Sequence, residues 1–113
     1  MKSRSQNPEA VLQAEIVSWL RETFPEWIIF STHNESAYKR INYYKSLGLL
    51  VGVPDLVIIG NSLVYFIEVK SEKGRLSNEQ KKIKQKIQSL GHSYIVVRSL
   101  EEVQRFFGFS IYD

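Results

Sequence analysis

The stretch Gly52-Val53-Pro54-Asp55-Leu56-Val57-Ile58-Ile59-Gly60-Asn61-Ser62-Leu63-Val64-Tyr65-Phe66-Ile67-Glu68-Val69-Lys70 decides the fold. Two runs rich in β-branched and aromatic residues, Asp55 to Ile59 and Leu63 to Val69, flank Gly60-Asn61-Ser62, so they read as a β-hairpin. Both runs are apolar at successive positions, which calls for helices on both faces of the sheet and puts the hairpin at its centre. If Asn61 and Ser62 form a two-residue loop, Ile59 opposes Val64, Val57 opposes Phe66 and Asp55 opposes Glu68. A four-residue loop keeps this pairing and a three-residue loop breaks it.

Directly opposed side chains stand roughly 4.5 to 5.5 Å apart at Cβ, where like charges repel. Lys70 follows Glu68 by two residues and shares its face by strand alternation. Two carboxylates and an ammonium group at the end of an apolar hairpin make chemical sense around a hard divalent cation. Mg²⁺ typically takes one or two carboxylates together with water and phosphate oxygens. Lys70 would then orient or deprotonate an attacking water. The same residues also allow a plainer reading, with Asp55 a strand-end acid after Pro54 and Glu68 and Lys70 an ordinary partly exposed pair.

Outward from the hairpin, Asn7-Pro8-Glu9 supplies a cap, a first-turn proline and an acid that complements the helix dipole. Leu12, Ile16, Trp19, Leu20 and Phe24 continue at helical spacing until Pro25. Residues 1–6 read as a flexible tail. Trp27 to Thr32 reads as a strand, and Ala37 to Leu47 as a short helix closed by Gly48. Ser77-Asn78-Glu79-Gln80 has the form of a capping box ahead of Ile83, Ile87 and Leu90, and Gly91 ends that helix. Tyr94 to Val97 reads as a strand, and Ser99-Leu100-Glu101-Glu102 repeats the box before a last helix that ends near Gly108.

At 113 residues, 43% of them hydrophobic, the chain has the size and composition of one α/β domain, not of a disordered segment. With no cysteine, disulfides, thiolate metal sites and cysteine nucleophiles are excluded, so any metal takes oxygen or histidine ligands. His33 and His92 lack metal-ligand spacing. Nothing resembles a membrane span or a secretory signal, and a cytoplasmic location is expected. The net charge of +3 fits a polyanionic partner.

The run Gly52-Val53-Pro54-Asp55 followed by Glu68-Val69-Lys70 resembles the signature of the PD-(D/E)XK nuclease superfamily. Together with Glu15 on the first helix, Gln80 on the helix after the hairpin and Val96-Val97-Arg98-Ser99 before the last helix, it resembles the VRR-NUC family. The resemblance implies a restriction-endonuclease-like α/β core, a central mixed sheet flanked by helices on both faces. It implies that Asp55 and Glu68 bind Mg²⁺ or Mn²⁺, that the Val69 carbonyl adds a ligand, and that Lys70 is the catalytic lysine. It further implies that Glu15 supports the metal or its water and that Gln80 orients the lysine or the metal's waters. Read from the residues alone, Glu15 is equally a solvated helix-edge acid, and the capping box gives Gln80 a structural reason of its own.

Tyr38-Lys39-Arg40 and Tyr43-Tyr44-Lys45 mix aromatic and basic residues just before the Pro-Asp motif. Lys81, Lys82, Lys84 and Lys86 ring the helix after Ser77, where a lysine-rich face is more often simply solvated; Arg98 follows the last strand, reads by itself as a surface partner for a carboxylate or phosphate, and by the resemblance faces the site. Tyr38, Lys39, Arg40, Lys45, Lys81, Lys84 and Arg98 are thus the expected nucleic-acid contacts, reading shape more than sequence. Resemblance to Holliday-junction resolvases implies a structure-selective endonuclease acting as a homodimer on branched DNA, with no organic cofactor. The alternative is a non-catalytic nucleic-acid-binding module, or a nuclease subunit that needs a partner. The apolar run from Phe106 to Tyr112 either contributes to a dimer contact or packs on its own core.

Overall fold

The Asn7 side chain accepts the Glu9 N–H at 2.8 Å and starts α1 (Pro8–Thr23), as the sequence requires. In the computed structural model, which describes residues 7–32 and 39–108, the elements that follow are β1 (Ile28–Ser31), α2 (Ile41–Ser46), β2 (Leu56–Ile59), β3 (Val64–Val69), α3 (Asn78–Ser89), β4 (Ser93–Val97) and α4 (Leu100–Phe106). The strands form one mixed sheet in the order β1-β2-β3-β4, antiparallel except for the parallel pair β3 and β4 that α3 connects. The hairpin β2–β3 occupies the two central places. Its register pairs Ile59 with Val64 and Val57 with Phe66, as the two-residue loop predicts, and Gly60 N–H donates to the Leu63 carbonyl at its end.

One face of the sheet carries the core. Ile16 and Leu20 of α1 pack with Ile29, Leu56, Ile58, Ile67, Val69 and Val97 and with Val103 of α4, all buried. Burying residues of this size contributes roughly 1.5–3 kcal/mol apiece before entropy is counted. Below them Trp27 stacks on Phe24, ring centroids 3.9 Å apart, with Tyr65 and Phe107 against the same ring. Gly60 makes room for this cluster, since a Cβ there would stand 3.3 Å from the Trp27 and Tyr65 rings. Phe107 thus packs on its own core, whereas Phe106 is partly exposed; residues 109–113 lie outside the described residues.

The other face is covered only in part. α3 packs on β4, and among the described residues no helix covers β1 and β2 on that side. Ile28 and Phe30 remain 58% and 42% exposed there. The expected helical layer on this face is therefore a half-layer, because one helix reaches only the strand it leads into. Of the helix expected from Ala37 to Leu47, the described part is Ile41–Ser46, which buries none of its residues; Ala37 and Tyr38 lie outside the described residues.

Both capping motifs were expected as full boxes. At Ser77 the box is complete: Ser77 Oγ accepts Gln80 N–H at 3.1 Å and Gln80 Oε1 accepts Ser77 N–H at 2.8 Å. At Ser99 only half forms. Ser99 Oγ accepts Glu102 N–H, but the Glu102 carboxylate turns back to the Arg98 N–H instead of that of Ser99.

Candidate active site

The last residues of β3 and the chain leading into β2 meet at one end of the sheet. Thr32 fixes that lead-in: its N–H donates to the Asp55 carbonyl at 3.0 Å and its hydroxyl donates to the Pro54 carbonyl. Asp55 lies one residue before β2, and the hairpin register continued outward sets it opposite Glu68. Its Oδ2 accepts the Val69 N–H at 2.8 Å. On the next strand, Lys70 N–H donates to the Val97 carbonyl, so the parallel pairing of β3 and β4 carries Lys70 just past the sheet's end.

Glu68 is 2% exposed, the buried charged residue of the described chain. Gln80 Nε2 donates to its Oε2 at 3.1 Å, and the Lys70 ammonium stands 3.8 Å from the same oxygen. Its Oε1 is buried without a hydrogen-bond partner. Burial is the main force that pushes the Glu68 carboxyl up, to about 8. The nearby Asp55 carboxylate adds to it, Lys70 opposes it, and Glu9 adds a smaller push. An unpartnered buried carboxylate oxygen beside a second carboxylate is what an oxygen-ligated metal would use. Among the described residues no group of three or more acidic or imidazole side chains is placed to hold a metal ion together. Two carboxylates and open positions suit Mg²⁺ or Mn²⁺ better than a fully protein-enclosed ion.

The expected residues divide plainly. Asp55, Glu68, Val69, Lys70 and Gln80 are brought together. Glu15 is not: it is exposed and lines a shallow concavity with Ser18, Trp19, Glu22 and Leu100. The acid that α1 brings to the site is Glu9. Glu9 shares with Asp55 a cavity of about 900 Å³ between α1 and β1, and its Oε2 accepts the Ser71 N–H at 3.0 Å. The two glutamates are six positions apart, which turns them roughly 120° apart around the helix. Pro8-Glu9 had a sufficient explanation as a helix start, and that concealed its second position beside the site.

Two further residues, read from the sequence only as motif and strand positions, lie close to the site. Gly52 has φ +94°, and a Cβ there would stand 2.7 Å from the Glu79 backbone carbon, so a side chain would push away the first turn of α3 that carries Gln80. Tyr94 is buried, with its hydroxyl unpartnered, and burial followed by the charges of Glu68 and Asp55 pushes its pKa up.

The basic residues are spread more widely. Lys39, Arg40, Lys45 and Lys81 are exposed, with the Arg40 guanidinium 4.3 Å over the Tyr43 ring. Lys84 is half-buried, its ammonium 5.8 Å from the centre of the Tyr94 ring. Arg98 donates to the Gly74 carbonyl at 2.6 Å. Tyr38 lies outside the described residues. Among the described residues no helix is long and apolar enough to cross a membrane.

The sequence matches the family model of the VRR-NUC domain over residues 1–101. No curated protein matches it. Among solved structures, one described as a VRR-NUC domain is 19% identical with a TM-score of 0.67, covering 90% of this chain and 96% of its own. Another, a VRR-NUC domain protein, is also 19% identical with a TM-score of 0.69, covering 96% of this chain and 92% of its own. At that identity the structural likeness speaks for a shared nuclease-type fold, and the family assignment rests on the match along the sequence. With that match spanning most of its length, the chain belongs to the VRR-NUC domain family.

Proposed function

We propose that this chain is a metal-dependent, structure-selective DNA endonuclease that hydrolyses phosphodiester bonds at four-way junctions or related branched DNA. The observation that carries the reading is Glu68: a buried carboxylate, opposed to Asp55, with one oxygen left without a partner. Such a group costs several kcal/mol to bury ionised unless a cation compensates it. Asp55 and Glu68, with the Val69 carbonyl, would hold Mg²⁺ or Mn²⁺, and Glu9 takes the supporting place first expected of Glu15. The ion supplies positive charge for the phosphate and acidifies water at neutral pH.

The protein's own groups do the rest. The Gln80 amide fixes the Glu68 carboxylate by its hydrogen bond to Oε2. The Lys70 side-chain nitrogen stands beside that oxygen, where it can steady the nucleophile and the charge that grows on the phosphate. Exposed Lys39, Arg40, Lys45 and Lys81 provide cations for the DNA backbone, which carry shape recognition without base reading. Two copies would set two such sites on one junction, and the uncovered Ile28, Phe30 and Ile59 offer apolar surface of the kind a homodimer buries.

The test is cleavage of labelled four-way junction, flap, single-stranded and duplex DNA in Mg²⁺ or Mn²⁺, beside Asp55→Ala and an EDTA control. Cutting of branched DNA that both controls abolish supports the reading. Binding of all these DNAs with no cutting under either metal overturns it in favour of a binding module.

A further inference from the structure

Arg98 was expected among the DNA contacts; the residue is exposed, and its guanidinium also bonds back to the protein. Arg98 follows the end of β4 as Lys70 follows the end of β3, and the parallel register sets the two positions side by side. From there Arg98 Nη2 donates to the Gly74 carbonyl at 2.6 Å, reaching back 24 positions along the chain. Gly74 closes a turn with Ser71, its N–H on the Ser71 carbonyl at 3.0 Å. The turn in turn rests on the site. Ser71 N–H donates to Glu9, and a Cβ added at Gly74 would lie 3.2 Å from the Glu9 Oε2 and 3.3 Å from the Lys70 Cδ. No space therefore separates this turn from the Glu9 carboxylate or from the stem of the lysine.

We propose that Arg98 is a positioning residue of the Asp55–Glu68–Lys70 site: by holding the Gly74 carbonyl it presses the turn 71–74 onto Lys70 and Glu9 and so fixes the ammonium and the α1 carboxylate. The inference rests on the endonuclease reading for its catalytic consequence and on the hydrogen bonds alone for its structural one. A residue that acts through such supporting contacts is worth about 10- to 100-fold in activity or metal affinity. A phosphate contact behaves differently, since its loss weakens DNA binding uniformly and lowers the salt slope by about one.

The experiment compares wild type, Arg98→Ala and Arg98→Lys by steady-state cleavage, by DNA binding across a salt series in Ca²⁺, and by calorimetric titration with Mn²⁺ alone. The expected result for Arg98→Ala is a fall in kcat of about tenfold or more with KM and salt slope unchanged, and weaker Mn²⁺ binding. Arg98→Lys, which can still donate to the Gly74 carbonyl, should recover much of both. A raised KM with unchanged kcat and a shallower salt slope would overturn the proposal and return Arg98 to the DNA interface. So would an Arg98→Ala protein whose Mn²⁺ binding and kcat match wild type. If wild type cuts no DNA, the endonuclease reading fails by itself, and the Mn²⁺ titration still decides whether Arg98 organises the site.

Discussion

The Asp55 carboxylate accepts the N–H of Val69 at 2.8 Å, across the open end of the hairpin, so one metal-ligand candidate is tied to the backbone beside the other. Val69 stands between Glu68 and Lys70, and the bond therefore locks the spacing of all three side chains.

That relationship separates charge from geometry at Asp55. Asp55→Asn keeps an amide oxygen that can accept the Val69 N–H, so melting should change little, whereas cleavage should fall by at least about a hundredfold through loss of metal charge. Circular dichroism melts beside cleavage rates check this. A variant that is both fully active and stable would remove Asp55 from the metal site.

Stability should depend on pH through Glu68. In the unfolded chain its carboxyl ionises near 4.5, and in the folded chain near 8. Between these values the folded state binds the extra proton, so the contribution of this group to stability falls as pH rises from 4.5 to 8 and is flat above. Glu68→Gln cannot ionise and should melt about 5 °C or more higher than wild type at pH 8.5 in EDTA, with little difference at pH 4.5. Parallel melting curves for the two proteins across that range would refute this.

The two roles of Gln80 can be split. Its Oε1 completes the capping box and its Nε2 binds Glu68. Gln80→Glu keeps an acceptor for the box yet sets a third carboxylate beside a buried one, so α3 should form while cleavage falls about 10- to 100-fold. Gln80→Ala should lose about 1 kcal/mol of stability as well. Equal activity for wild type and Gln80→Glu would argue that the glutamine is only a cap.

Gly52→Ala should be damaging out of proportion to its size. It forces a side chain into a left-handed backbone, costing on the order of 1–3 kcal/mol, and into the Glu79 carbonyl group. Chemical denaturation should show the stability loss, and cleavage should fall with it because Gln80 moves. An Ala variant with wild-type stability would mean that α3 shifts at no cost.

Glu9 and Glu15 offer the sharpest contrast on α1. Glu9→Gln should weaken Mn²⁺ binding and cleavage by about tenfold or more, whereas Glu15→Gln, exposed on another side of the helix, should leave both unchanged. The reverse pattern, read by calorimetry, would restore Glu15 to the site.

Short-range physics made most of this legible in the sequence. Caps at Asn7 and Ser77 depend on neighbours within three residues, and the hairpin register depends only on where its turn falls. Once the turn was placed, the meeting of Asp55 with Glu68 and Lys70 followed from alternation. The sequence could not tell which acid of α1 faces the site, because Glu9 and Glu15 both suit an amphipathic helix. Only the packing of Ile16 and Leu20 on the sheet sets the rotation that brings Glu9 to Ser71. Likewise the burial of Glu68, the close approach of Gly52 to α3 and the reach of Arg98 to Gly74 join segments that are distant along the chain. Local sequence determines what each segment can form, but which charges lose their water is decided by how the segments are stacked, and that loss gives Glu68 its chemistry.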